Sequence, residues 1–136
     1  MDAPQSILSI DDNEVDLIVH RRRIEKHDSN IDVSEARDGQ AGLDLLATLA
    51  VPPDLILLDV NMPVLDGFGF LERAPGPLPP VILMLTSVFQ DRDRDRALRY
   101  DAVRGWMLKP LGRDWPQQVA DRLKSGRESP LWNAKV

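Results

Sequence analysis

Asp54-Leu55-Ile56-Leu57-Leu58-Asp59-Val60-Asn61-Met62-Pro63 is the stretch that decides the fold. Four consecutive aliphatic residues between two acids read as a strand buried on both faces, the environment found inside a parallel sheet. Asp59 then falls at the carboxyl end of that strand, where ligands of open α/β folds bind. An Asp at a strand end can also do no more than start a loop. A second acidic strand end, Ile7-Leu8-Ser9-Ile10-Asp11-Asp12 followed by Asn13-Glu14, favours the functional reading.

Outward from this stretch, strand-like and helix-like segments alternate. Residues 6–10 predict a first strand, and 13–27 a helix capped by Asn13. Residues 31–36 alternate polar and apolar at period two, as an edge strand does. Asp38-Gly39 opens a helix carrying Leu43, Leu46 and Leu49 and stopped by Pro52-Pro53. After the strand at 54–60 come a short helix, 66–74, and a stretch with four prolines between residues 74 and 80. Residues 81–85 read as a fourth strand, 91–102 as a charged helix and 105–108 as a fifth strand. Residues 113–125 read as a last helix with Pro116 in its first turn. Gly42 and Gly69 lie inside helical patterns, each costing up to about 1 kcal/mol relative to Ala.

Strict alternation of five strands with five helices implies a parallel five-stranded sheet with right-handed crossovers and helices on both faces. The strand order common at this size is 2-1-3-4-5, with its topological switch between the first and third strands. That order collects Asp11, Asp12, Asp59, Thr86 and Lys109 along one edge of the sheet. Residues 126–136 have no periodicity, so the expected division is one domain over 5–125 and a C-terminal tail over 126–136.

A chain of 136 residues suffices for one domain with a substantial core. The net charge of −5 argues against a general nucleic-acid binder, which needs a basic face. The chain contains no cysteine, which excludes disulfides, thiolate metal sites and a cysteine nucleophile. Residues 1–6 do not resemble a signal peptide, and no run approaches the ~20 apolar residues of a membrane span. The expectation is a soluble cytoplasmic domain that does not enter a membrane.

Three carboxylates with oxygen-rich surroundings and neither His nor Cys describe a site for a hard cation, for which Mg2+ is the natural occupant. Without a cation, mutual repulsion raises at least one of the carboxylate pKa values. Mg2+ commonly pairs one or two carboxylates with phosphate oxygens, and a carboxylate can attack phosphorus to give an acyl phosphate. Thr86 and Lys109 are placed to neutralise the phosphoryl oxygens, Lys as a mobile point charge. No general base is evident, which favours a stoichiometric phosphoryl acceptor over a hydrolase. Two alternatives stay open. An aspartate-nucleophile, Mg2+-dependent phosphatase uses similar chemistry, although it typically carries Asp-x-Asp on its first strand, where this chain has Asp59 on the third with Asn61 two residues on. A phosphorylation-independent scaffold that kept the pocket is the other.

At this point the chain resembles the receiver domains of two-component response regulators, and in particular the compact single-domain chemotaxis-type regulators. The resemblance covers residues 5–125 and implies a flavodoxin-like, doubly wound (βα)5 sandwich. It implies that Asp11 and Asp12 bind Mg2+ together with Asp59 and the backbone carbonyl of Asn61. By the same likeness Asp59 accepts the phosphoryl group, Thr86 and Lys109 bind it, and Lys109-Pro110 has a cis peptide. Met62-Pro63 and Asp66-Gly67 match the loop after the acceptor. The implied partner is a sensor histidine kinase or histidine phosphotransfer protein, with an unidentified protein target downstream and a homodimer allowed. The implied activity is self-phosphorylation and slow self-dephosphorylation, not enzymatic turnover.

Some positions depart from the family pattern. The switch aromatic paired with Thr86 is Trp106 instead of Tyr or Phe, and its bulk is expected to restrict the inward rotamer. Val88, two residues after Thr86, cannot orient a water by hydrogen bonding, which suggests slow dephosphorylation. On the first helix, Leu17 and Ile24 belong to a core face. Val15, Ile18 and Arg22 share another face by i, i+3 and i+4 spacing, where the family docks its histidine-bearing partner. Arg21, Arg22, Arg23 and Lys26 make this helix basic, and His20 reads as a packed helix residue. The helix from Gln90 alternates in charge sign, as either a solvated helix or part of a signalling face. Trp115 and Trp132 are candidates for exposed aromatics.

Overall fold

A computed structural model describes residues 4–74, 81–87 and 90–124. The elements are β1 (Ser6–Ile10), α1 (Glu14–His27), β2 (Asp32–Ala36), α2 (Gly39–Thr48), β3 (Leu55–Asp59), α3 (Gly67–Arg73), β4 (Ile82–Thr86), α4 (Asp91–Ala97), β5 (Val103–Leu108) and α5 (Trp115–Lys124). All strand pairs are parallel, and the order across the sheet is β2-β1-β3-β4-β5, as the alternation predicts.

Successive side chains of a strand point to opposite faces, and this sorts the apolar residues into two layers. Leu8, Ile10, Ile56, Leu58, Met84 and Trp106 pack with Phe68, Phe70 and Leu71 of α3 and Ala97 of α4. Ile7, Leu55, Leu57, Leu83 and Met107 pack on the other face with Ile24 of α1 and Trp115 and Val119 of α5. Every residue of β3 and β4 is buried, so the two central strands read as unbroken apolar runs. Each fully buried Leu or Ile side chain contributes about 1.5–3 kcal/mol, which makes β3 a rigid support for the Asp59 at its end. The edge strand β2 is half exposed, in keeping with its period-two pattern.

Three helices begin on a side-chain cap. Asn13 accepts from the Asp16 N–H at 3.1 Å, Asp38 from the Ala41 N–H at 2.7 Å, and Asp66 from the Gly69 N–H at 2.8 Å. Such caps satisfy amide groups that a helix N-terminus leaves unpaired.

The structure corrects three expectations. The charged helix ends at Ala97 and not at 102, because turn hydrogen bonds take over from Leu98 and the Ile82 N–H draws the Ala102 carbonyl into the sheet at 2.8 Å. For the same reason β5 begins at Val103, two residues before the predicted start. Trp115 is not an exposed aromatic: it is 1% exposed. Its indole fills the layer between α1 and the sheet, its Nε1–H donates to the Arg23 carbonyl at 3.2 Å, and the His27 ring meets it edge-on at 5.4 Å. Residues 75–80, Val88, Trp132 and the tail lie outside the described residues.

The loop after β3 is tightly constrained. Val64 has φ of 69°, and the Leu65 N–H reaches the Pro63 carbonyl at 2.8 Å, the hydrogen-bond pattern of a γ-turn. Gly67 then passes so close to β3 that a Cβ there would stand 2.5 Å from the Asp59 backbone oxygen. Ala is the better helix former at an unconstrained site. Gly67→Ala is nevertheless expected to lower stability by about 1–3 kcal/mol, because backbone rather than a flexible side chain must yield. Urea denaturation of the two proteins checks this, and an unchanged or raised midpoint would contradict it.

Candidate functional site

The carboxyl ends of β1, β3, β4 and β5 open on one side of the sheet, and each brings a polar residue there. Asp11 follows β1, with its N–H held by the Ala36 carbonyl at 3.0 Å and one carboxylate oxygen accepting from the Asn13 N–H at 2.9 Å. Asp59 ends β3 and Thr86 ends β4, both buried, while Asp12 and Asn61 stand exposed at the rim. Lys109 follows β5, its N–H tied to the Thr86 carbonyl at 2.9 Å and its peptide bond to Pro110 cis. Asp11, Asp12 and Asp59 each offer a carboxylate oxygen within 4.8 Å of the others.

One ammonium serves this cluster. Lys109 Nζ lies 3.3 Å from Asp11 Oδ2, 3.1 Å from Asp16 Oδ2 and 3.4 Å from Asp59 Oδ1. Burial pulls the lysine pKa down, but the Asp16 hydrogen bond and the charges of Asp11 and Asp59 outweigh it, so the pKa is raised and the ammonium stays charged. Asp59 is left undercompensated. Its burial first, and then the Asp11 carboxylate, push its pKa up to about 7 against the opposing pull of Lys109. Asp59 Oδ2 is buried with no hydrogen-bond partner among the described residues. A hard divalent cation fits this donor set, because it would neutralise the excess negative charge with oxygen ligands alone.

The sequence reading assigned no role to Asp16, which is the shortest contact of Lys109. It lies in the first turn of α1, and helical side chains tilt toward the N-terminus, here the acidic mouth. That tilt is the signal that could have found it. His20, a turn further on, is fully buried, and neither ring nitrogen has a hydrogen-bond partner among the described residues. Burial lowers its pKa although Asp11 and Asp16 pull it upward.

Trp106 is 2% exposed, so the indole is accommodated inside the sheet–helix layer that contains Met84 and Val103. Burial fixes where the indole packs, and its coupling to Thr86 belongs to the functional proposal below. The Trp106 carbonyl accepts from Nε of the buried Arg122 at 3.0 Å, and Gly105 has no side chain to occupy that guanidinium's space. On α1, Leu17 and Ile24 are buried while Val15, Ile18 and Arg22 are exposed. A cavity of about 540 Å³ adjoins the mouth on the α4 side, lined among others by Asn61, Asp66, Gln90 and Asp93, with the Arg96 guanidinium 4.0 Å above the Phe68 ring.

The sequence profile of the response regulator receiver domain matches residues 7–119, and the chain belongs to that family. A protein-glutamate methylesterase/protein-glutamine glutaminase of Symbiobacterium thermophilum is 33% identical over 111 residues, covering 80% of this chain and 30% of that protein. A homologous enzyme of Methanospirillum hungatei is 37% identical over 76 residues, covering 53% of this chain and 21% of that protein. The chain thus spans less than a third of the length of these relatives. Among solved structures, a two-component response regulator from Legionella pneumophila superposes with a TM-score of 0.75 at 28% identity, covering 88% of this chain and 97% of that one. The chemotaxis protein CheY4 of Vibrio cholerae superposes at 0.63 with 27% identity, covering 90% and 98%. The fold is the flavodoxin-like (βα)5 sandwich of these neighbours. No helix among the described residues is long and apolar enough to cross a membrane.

The raised Asp59 pKa has a consequence for stability. A carboxyl whose folded-state pKa lies above its unfolded value stabilises the fold fully below about pH 4, and that contribution is lost as pH rises through about 7. In metal-free buffer at pH 8, Asp59→Asn is therefore expected to be more stable than the wild type, by on the order of 2 kcal/mol. The gap should close as the pH falls toward 4. Urea melts of both proteins in chelator across this range check it, and a difference independent of pH would contradict it.

Proposed function

We propose that residues 5–125 act as a phosphorylatable receiver that takes a phosphoryl group from a partner's phosphohistidine onto Asp59, works in the cytoplasm and signals by protein–protein contact. The observation that carries this reading is Asp59 itself: a buried carboxylate with Oδ1 beside Lys109 and Oδ2 without a partner among the described residues. Asp11, Asp12, Asp59 and the carbonyl of Asn61 would hold Mg2+. The ion, when bound, supplies positive charge for the phosphoryl oxygens. In the transfer a carboxylate oxygen of Asp59 forms the new P–O bond as the P–N bond of the donor breaks. The electron pair leaves with the imidazole nitrogen, which takes up a proton. Lys109 and the Thr86 hydroxyl then hold the phosphoryl oxygens, and Trp106 passes the change to β5 and α5. Val15, Ile18 and Arg22 offer an exposed face beside the mouth for the histidine-bearing partner. Family membership supports the kinase or phosphotransfer partner, and the downstream protein is undefined.

Acetyl phosphate with Mg2+ should add one phosphoryl group to the wild type, detected by intact mass. Asp59→Asn should add none, and chelation should stop the reaction. Lys109→Ala should slow it by about 100-fold, the scale of losing one preorganised charge at developing oxyanions. Unchanged labelling of Asp59→Asn would overturn the acceptor assignment. Sustained turnover of a phosphomonoester would favour a phosphatase instead.

A further inference from the structure

We propose that the basic cavity between the second half of α1 and the start of α5 is a binding site for a small phosphate-bearing anion of the di- or triphosphate class. It is built from Arg22, Arg23, Lys26 and His27 of α1 and Arg113 from the loop before α5. The spacing explains the α1 side: residues 22 and 26, and 23 and 27, are i,i+4 pairs that form two adjacent rows on one helix face. The fold adds Arg113, which nothing in the local sequence connects to that helix. The cavity measures about 380 Å³, within the ~300–1,000 Å³ of small-molecule sites.

None of Arg22, Arg23, Lys26 and Arg113 has a carboxylate within ion-pair distance among the described residues. The nearest acids in sequence are engaged elsewhere. Glu25 faces Arg21 at 3.8 Å, Asp28 accepts from the Asn30 N–H at 2.9 Å, and Asp114 is turned toward Gln118 at 3.5 Å. In a chain of net charge −5, four cations converging without an acid among them repel one another, and a multiply charged anion relieves that repulsion. Arginine forks match phosphate oxygens in pairs, and three of the four cations are arginine.

Two lining residues are tied to the core: the buried Trp115 donates its indole N–H to the Arg23 carbonyl and meets the His27 ring edge-on. A long polyanion such as nucleic acid fits less well, because the other end of the same helix carries Asp16 and faces Asp11, Asp12 and Asp59. The site shares no residue with that acidic cluster, so it stands or falls independently of the acceptor reading. Occupation would neutralise the basic end of the helix that also presents Val15 and Ile18.

The test is an NMR titration of the full chain in chelator at constant ionic strength, with pyrophosphate, ATP and a glutamate-rich peptide as separate probes. The expected result is saturable shifts from pyrophosphate or ATP at the amides of 22–27 and 113 and at the Trp115 indole N–H. Tighter binding of ATP would identify a nucleotide ligand, and equal binding a simple polyphosphate. Arg113→Gln, at an exposed loop position, should weaken binding by about tenfold, the effect of one charge-assisted hydrogen bond. Lys26→Gln serves as a second exposed variant, and Asp59→Asn should bind as the wild type does. The proposal is overturned by shifts that sodium chloride reproduces, by shifts confined to the acidic mouth, or by affinity unchanged in both variants. Binding of the peptide alone would overturn it in favour of a docking surface for an acidic protein segment.

Discussion

The structure depends on one ammonium group set among carboxylates. Lys109 Nζ lies within 3.4 Å of oxygens of Asp11, Asp16 and Asp59, which come from β1, α1 and β3 while the lysine itself follows β5. One positive charge cannot balance three acids, and Asp12 adds a fourth at the rim. The ends of the strands are thus held together while an excess of negative charge is left at the mouth. Burial first, and then that excess, lift the Asp59 pKa, and the excess makes a hard cation a natural complement.

The scaffold makes this imbalance sustainable. Asp59 closes a strand whose other residues are all apolar and buried, with the α3 backbone packed against its own carbonyl at Gly67. The site cannot easily relax by moving the acid outward without disturbing β3. At the other end of the sheet, β5 links the site to α5 through the Trp106 carbonyl and the buried Arg122 guanidinium. The same strand carries the packed Trp106 indole.

Much of this was legible in the sequence. The apolar runs 55–58 and 82–85 read as buried strands, and their alternation with helices pointed to the strand order common at this size, which the sheet has. Asn13, Asp38 and Asp66 begin helices as their residue types imply. The convergence of Asp11, Asp12, Asp59 and Lys109 followed from that order. What was not legible depends on side-chain direction and long-range contact. Asp16 reads as an ordinary first-turn acid until Lys109 arrives from 93 positions away. Trp115 looks exposed because its neighbours in sequence are polar, whereas its burial comes from α1 and the sheet. The basic cavity needed Arg113, which lies far along the chain from the arginines of α1.

The account rests on Asp59 being a buried carboxylate short of positive charge, and its own titration tests that most directly. Carbon-13 NMR of the Asp59 side-chain carboxyl, followed from pH 4 to 9 with and without Mg2+, reads the quantity itself. The expected midpoint without metal is about 7, falling well below that value when Mg2+ is added. An ordinary carboxylate midpoint of about 4 in both conditions would contradict the account.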